Sequence, residues 1–301
     1  MFTHRVAEMP HTIEFVPIAG APVSSRQGAH AYLGSHGTSR TTITVVAGDK
    51  TGVHMIRWIW VFLDRPTQRF DDCAKFWSTV TGTELSPRRG ANDEFLTLLP
   101  DPALFAAASV KMQAVTGLGG VHLDLDVDHI PSAVRTALDL GAELVANHPD
   151  YAVLRSPGGQ TFCLTPSGRA RSTPAPAVRA PDGTFSRLDQ VCLDIGPLDH
   201  EVETRFWKLL TGWAFQPGRR PEFARLRSEE QQLPVQLLLQ RLGENRPTSA
   251  HVDLAASDIE ATAAWHESLG ATVVERHEHW TVLSDPADGL YCVTGRDPSG
   301  V

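Results

Sequence analysis

The sequence predicts an α+β protein built as a tandem duplication, two modules with one order of strands and helices. Self-similarity is the first observation behind this, at an offset of about 130 residues. Arg57 recurs as Arg187, Asp64 as Asp194, Phe76-Trp77 as Phe206-Trp207, and Thr81-Gly82 as Thr211-Gly212. Further along, Glu94-Phe95 recurs as Glu222-Phe223, His122-Leu123-Asp124-Leu125 as His251-Val252-Asp253-Leu254, and Leu140-Gly141-Ala142 as Leu269-Gly270-Ala271. Pro157 and Cys163 return as Pro286 and Cys292. The second observation is a hydrophobic period that switches between strand and helix spacing within each copy. The third is the length, 301 residues, which suits a pair of domains.

The elements of the first copy follow in order. Residues 58–63 form an apolar strand. A helix over residues 68–80 places Phe70, Cys73, Trp77 and Val80 on one face and ends at Gly82, the usual C-terminal glycine. Residues 95–99 and 110–115 are short apolar strands, residues 117–120 a glycine turn, and residues 122–127 a strand with one polar and one apolar face. A second helix begins after Asp128 with Pro131 in its first turn, buries Ile130, Val134 and Leu138, and stops at Gly141. Strands over 152–155 and 161–165 close the copy around the Pro157-Gly158-Gly159 turn. The second copy repeats this order.

The domain plan is therefore an N-terminal extension over 1–54, a first module over 55–165, a linker over 166–185 and a second module over 186–297. The linker has four prolines and little apolar content and reads as extended surface chain. Residues 1–54 contain two short β-like runs, 12–18 and 41–46, that match nothing later. Two readings stay open for them: a poorly ordered extension or misassigned start, or a strand that covers a sheet edge.

Charge and composition narrow the function. The net charge of −8 comes with scattered arginines rather than a basic stripe, which argues against nucleic acid. No apolar run is long enough for a membrane span, and no signal peptide is evident. The four cysteines form no CxxC pair, so a reducing cytoplasm and neither a zinc knuckle nor a disulfide framework is expected. The partner expected is a small molecule, and the assembly is a monomer or a homodimer.

The helix ending FWxxxTG, the HxDL strand, the helix ending LGA and the closing hairpins SPGGQTFCLT and DPADGLYCVT, in this order in both halves, resemble the vicinal oxygen chelate superfamily. That group includes glyoxalase I, bleomycin-resistance proteins and extradiol dioxygenases, and the chain looks like its two-module glyoxalase-like members. The resemblance implies that each module is a pair of βαβββ units whose mixed sheet curls into a cup, with helices outside. It also implies metal-ligand positions on the first, fourth and last strands. These fall on Trp60, His122 and Cys163 in the first copy and on Gln190, His251 and Cys292 in the second.

Tryptophan cannot ligate, so the second set is the better metal candidate, through amide oxygen, imidazole and thiolate. The cofactor expected is none or a divalent metal: zinc, iron or nickel. His122 and Asp124 share a strand face, as do His251 and Asp253, so both pairs should face a cavity while the intervening residues pack inward. The opposing reading is a core histidine held by its neighbour strand. Neither ligand set supplies a carboxylate. Glu94 and Glu222 offer one, although a solvated strand end is the plainer role for them. Cys163 and Cys292, flanked by apolar residues, read as buried inert thiols, and Trp60 as a cavity-lining ring. The expected function is binding of an aromatic or apolar small molecule in a cup, with a metal-dependent lyase or dioxygenase acting through the second module as the alternative.

Overall fold

The computed structural model describes residues 55–168, 173–229 and 231–299; the N-terminal extension lies outside them. Module 1 contains β1 (Ile56–Pro66), α1 (Phe70–Thr81), β2 (Thr83–Leu85), β3 (Phe95–Pro100), β4 (Val110–Val115) and β5 (Gly120–Val127). It continues with α2 (Ile130–Asp139), β6 (Glu143–Asn147), β7 (Ala152–Arg155) and β8 (Thr161–Pro166). After β9 (Val178–Arg179), module 2 repeats the plan as β10 (Phe185–Ile195), α3 (His200–Thr211), β11 (Ala214–Pro217), β12 (Phe223–Arg227) and β13 (Gln236–Arg241). It ends with β14 (Ser249–Ala256), α4 (Ile259–Ser268), β15 (Thr272–Arg276), β16 (Trp280–Ser284) and β17 (Leu290–Thr294).

Each module is thus two βαβββ units. The sheet orders are β2-β3-β4-β1-β5-β8-β7-β6 and β11-β12-β13-β10-β14-β17-β16-β15. β1 runs parallel to β4 and antiparallel to β5, which sets the two units of module 1 side by side. β10 does the same between β13 and β14. Alternation along β1 sends Ile59, Val61 and Leu63 into the main core and Trp58, Trp60 and Phe62 into a separate cluster on the concave face.

One core cluster runs through both modules. It is continuous because the first helix of each module packs on the closing strands of the other. Trp77 of α1 stacks edge-on to Tyr291 of β17 at 5.1 Å, and Trp207 of α3 does so to Phe162 of β8 at 5.3 Å. Both helices stop at a left-handed glycine, Gly82 at φ 59° and Gly212 at φ 68°.

Three details differ from the sequence reading. The inward face of α2 carries Ala133 and Ala137, whereas Ile130 and Val134 are half-buried and Leu138 is 40% exposed. Small residues face inward there because α2 passes close to α3. The short edge strands β2, β6 and their repeats go beyond the predicted elements, because they are too exposed to show an apolar period. Finally, the linker is docked in part: β9 pairs with β10, Thr173 bridges to Ala106, and Ala180 is buried.

Candidate functional site

The candidate site residues lie on the sheet faces turned away from the main core. In module 2, β14 presents His251 and Asp253 on one face, while Val252 and Leu254 enter the core. β17 lies parallel to β14 with Cys292 opposite Asp253. The His251 ring bridges two carboxylates, with Nδ1 3.1 Å from Asp194 Oδ2 on β10 and Nε2 3.3 Å from Asp253 Oδ1. Cys292 Sγ is 3.5 Å from the same Nε2.

Gln190 sits beside this group and is already engaged. Its Nε2 donates to Asp253 Oδ2 at 2.5 Å, and its Oε1 accepts from Gln236 Nε2 at 3.1 Å. Asp253 Oδ1 has no hydrogen-bond partner among the described residues although it is buried. An oxygen so placed has lost water and gained nothing neutral in return.

Module 1 repeats the arrangement. His122 Nδ1 lies 2.6 Å from Asp64 Oδ2 and its Nε2 lies 3.8 Å from Asp124 Oδ1, again a buried oxygen without a hydrogen-bond partner among the described residues. Cys163 faces Asp124 in register. Phe62 stacks on the His122 ring at 4.4 Å. Trp60 donates to Asp126 Oδ2 at 3.3 Å and lies under Lys111 Nζ at 4.1 Å. Trp60 therefore faces the cup but is 6% exposed, covered rather than open.

Ionisation follows from these neighbours. Burial works to lower the His251 pKa, but the Asp194 and Asp253 carboxylates beside its two ring nitrogens outweigh it and hold the value well above the ordinary one. His122 is raised likewise, burial being overcome chiefly by Asp64. Burial pushes Cys292 up, partly offset by His251, and pushes Cys163 well up with Asp124 adding to it. Cys73 is raised to about 12 and Cys192 further still, both by burial first. All four cysteines are buried free thiols.

Three donor groups have atoms within 4.8 Å of one another: His122, Asp124 and Cys163; Cys192, Asp194 and His251; and His251, Asp253 and Cys292. Donors around tetrahedral zinc stand roughly 3.3 to 3.8 Å apart, given bonds of about 2.0 to 2.3 Å. The third group meets that spacing in both distances from His251 Nε2. It also has a buried carboxylate oxygen, Asp253 Oδ1, with no hydrogen-bond partner among the described residues, and Asp194 behind the imidazole in the place of an outer-shell carboxylate. The residues present thus fit a divalent metal.

Below the mouth of the first cup runs a cleft of about 850 Å³. Asp64, Glu94, Gln113 and His122 line it together with residues 117–121, Gln160 and residues 248–250 of module 2. Glu94 is not a solvated strand end: it is 6% exposed, held by the backbone N–H of Asn92 at 2.8 Å. Glu222, its repeat, is the more exposed of the two.

The model of the glyoxalase-like domain matches residues 60–165 and 190–294, more than half of the chain and both modules. The chain belongs to the glyoxalase-like domain family. Solved structures similar to this glyoxalase-like chain include the Mn(II)-bound glyoxalase from Novosphingobium aromaticivorans, with 14% identity, TM-score 0.56, and coverage of 80% of this chain and 83% of that one. A second is the 2,2',3-trihydroxybiphenyl 1,2-dioxygenase from Sphingomonas wittichii, with 11% identity, TM-score 0.53, and coverage of 79% and 90%. A third, a variant of homoprotocatechuate 2,3-dioxygenase from B. fuscum, has 12% identity, TM-score 0.54, and coverage of 81% and 72%. At these identities the likeness is one of fold. No curated protein sequence matches the chain. Among the described residues, no helix is long and apolar enough to cross a membrane.

Proposed function

We propose that this glyoxalase-like protein binds a small oxygen-bearing molecule at a divalent metal in the second cup, held by His251, Asp253 and Cys292, and acts on it as a metal-dependent enzyme of lyase type. The observation that carries the reading is Asp253 Oδ1, a buried oxygen without a hydrogen-bond partner among the described residues, 3.3 Å from His251 Nε2. From sequence, the want of a carboxylate weighed against an enzyme; Asp253, one strand over from the position filled by Cys292, provides it.

Each chain residue has a part. Asp194 accepts from His251 Nδ1 and so turns Nε2 toward the metal position. Gln190 fixes Asp253 by donating to Oδ2, leaving Oδ1 directed at the same place. A thiolate in the set favours zinc over hard cations such as magnesium. Only one histidine is present, so the set departs from the two-histidine, one-carboxylate arrangement of iron ring-cleavage sites, and the lyase reading is preferred to the dioxygenase one. When bound, the metal supplies Lewis-acid polarisation of a carbonyl or hydroxyl oxygen.

Elemental analysis of the purified full-length protein tests this. One zinc, iron or nickel per second module, lost in His251→Ala, is the expected result. A chain that neither carries metal nor takes up zinc on titration would leave the second cup as a metal-free ligand site and overturn the proposal.

A further inference from the structure

The cleft at the first cup is walled by acceptor oxygens without a hydrogen-bond partner among the described residues. Asp64 Oδ1, Glu94 Oε1 and Gln113 Oε1 are buried oxygens without a hydrogen-bond partner among the described residues, and all three residues line the cleft. Register sets Asp64 beside Gln113, and the cleft lining brings Glu94 to them. Asp64 of β1 pairs with Gln113 of β4, and Gln113 with Phe95 of β3, the residue after Glu94. Gln113 is 2% exposed. The backbone is shaped to admit the Glu94 carboxylate, since a Cβ on Gly90, at φ +95°, would fall 2.4 Å from Glu94 Oε2. Leaving a buried acceptor without a donor is unfavourable, so three of them in one wall fit a donor-rich occupant.

In the second module one of these acidic positions meets a cation from its own chain. There Asp194 pairs with Gln240, and Gln240 with Phe223, the residue after Glu222, so the acidic and amide positions are repeated. Arg246, from the loop between β13 and β14, brings its guanidinium to Asp194, Nη2 to Oδ2 at 3.3 Å. Cys192 donates to Gln240 Oε1 at 3.5 Å. In module 1 the corresponding loop, residues 116–119, reads Thr-Gly-Leu-Gly and carries no basic side chain. Phe62 stands opposite His122 as Cys192 stands opposite His251, so the thiol donor is gone as well.

The charged groups that line the cleft are Asp64, Glu94, His122 and Arg88. His122 engages the other oxygen of Asp64, and Arg88 is turned to Asp71 and to the carbonyl of Asp93. Neither reaches the three unpaired oxygens.

We infer that this cleft binds an organic cation, a guanidinium or primary ammonium group on a small molecule, between Asp64, Glu94 and Gln113, as Arg246 serves Asp194 of module 2 from within. A guanidinium offers five planar donors to the three oxygens. The cleft is far larger than such a head group, and the rest of the molecule runs along Gln160 and residues 248–250. The site lies in module 1 and requires no metal in module 2.

Titration calorimetry on the full-length protein tests it with methylguanidinium and methylammonium as probes and methylurea as the uncharged control. At least one cation binds saturably and methylurea does not. Glu94→Gln weakens the cation roughly tenfold or more, the loss of one charged acceptor. Gly117→Arg abolishes binding by supplying the guanidinium internally; a Cβ at Gly117 meets nothing within 4 Å, so this variant folds even if Glu94→Gln does not. Failure of both cations to bind, equal binding of methylurea, or unchanged binding in Gly117→Arg would overturn the inference. Metal content is measured on the same samples, and its absence would touch only the second-cup proposal.

Discussion

Trp77 Nε1 donates to Asp285 Oδ2 at 2.8 Å across the boundary between modules, and the matching tryptophan, Trp207, donates to Glu203 Oε2 at 2.7 Å. The two interfaces are repeats of one another, yet the carboxylate has changed sides. Asp285 sits on the closing hairpin with Cys73 facing it from α1, whereas Glu203 sits on α3 and reaches the hairpin at the Gly158 N–H. Each interface keeps one buried acid for its tryptophan. Asp285 also holds Arg65, 2.6 Å away and 1% exposed in its side chain. Asp285→Ala therefore strands a buried guanidinium and should destabilise the fold by about 3–5 kcal/mol. Glu203→Ala strands neutral donors only, as Asp285→Ala does as well at Trp77, Ala287 and Gly289, so it should cost less than Asp285→Ala by about the 3–5 kcal/mol of the guanidinium. Urea denaturation of both variants measures the difference, and equal losses would contradict the assignment of charge to the first interface.

Acid should weaken the same boundary through His266. Burial lowers its pKa from 6.5 to about 4, and its Nδ1 is 3.0 Å from Tyr291 Oη. The unfolded chain takes up the proton first as pH falls. Stability from this group is thus complete above about pH 6.5 and is lost between 6.5 and 4, by about 3 kcal/mol in all. Denaturation of the protein and of His266→Phe across that range isolates it: the difference between the two should shrink as pH falls. A difference independent of pH would show that His266 is not held neutral.

How much of this was legible in the chain depends on the reach of each contact. The FWxxxTG helices and HxDL strands are local patterns, and they placed α1, α3, β5 and β14 correctly. The alternation in β5 also told which residues point away from the core. The partnership of Trp77 with Asp285 spans 208 residues and leaves no periodic trace. The burial of Glu94 needs the space at Gly90, a three-dimensional fact about a loop. Asp253 was visible as a polar residue on the His251 face, but its standing beside Cys292 comes from the pairing of β14 with β17. The aromatic reading of Trp60 lacked Lys111, which arrives from the neighbouring strand.

Linker docking can be probed at Gly82. Its left-handed φ of +59° already disfavours a side chain, and a Cβ there would meet Val178 Cγ2 of β9 at 3.0 Å. Gly82→Ala should cost about 1–2 kcal/mol in backbone strain and push β9 outward. Limited proteolysis should then cut residues 173–184 faster than in the parent protein. Destabilisation without faster cleavage would mean that Val178 yields while β9 remains paired to β10.

The donor set in the second cup can be separated from its supports by two substitutions at neighbouring positions. Gln190 and Asp253 face each other across β10 and β14; the ligand position implied by the sequence resemblance is Gln190, whereas the buried oxygen without a hydrogen-bond partner among the described residues belongs to Asp253. If Asp253 is the ligand, Asp253→Asn removes a charged donor and should abolish zinc binding at micromolar metal. Gln190→Leu removes only the amide that steadies Asp253, so the stoichiometry should stay at one while affinity drops about 10- to 100-fold, the usual cost of an outer-shell loss. Competition with a chromophoric chelator reads both. The reverse order, with Gln190→Leu losing the metal and Asp253→Asn keeping it, would return the site to amide, imidazole and thiolate. In that case Asp253 would be left as the residue that holds Gln190 in place.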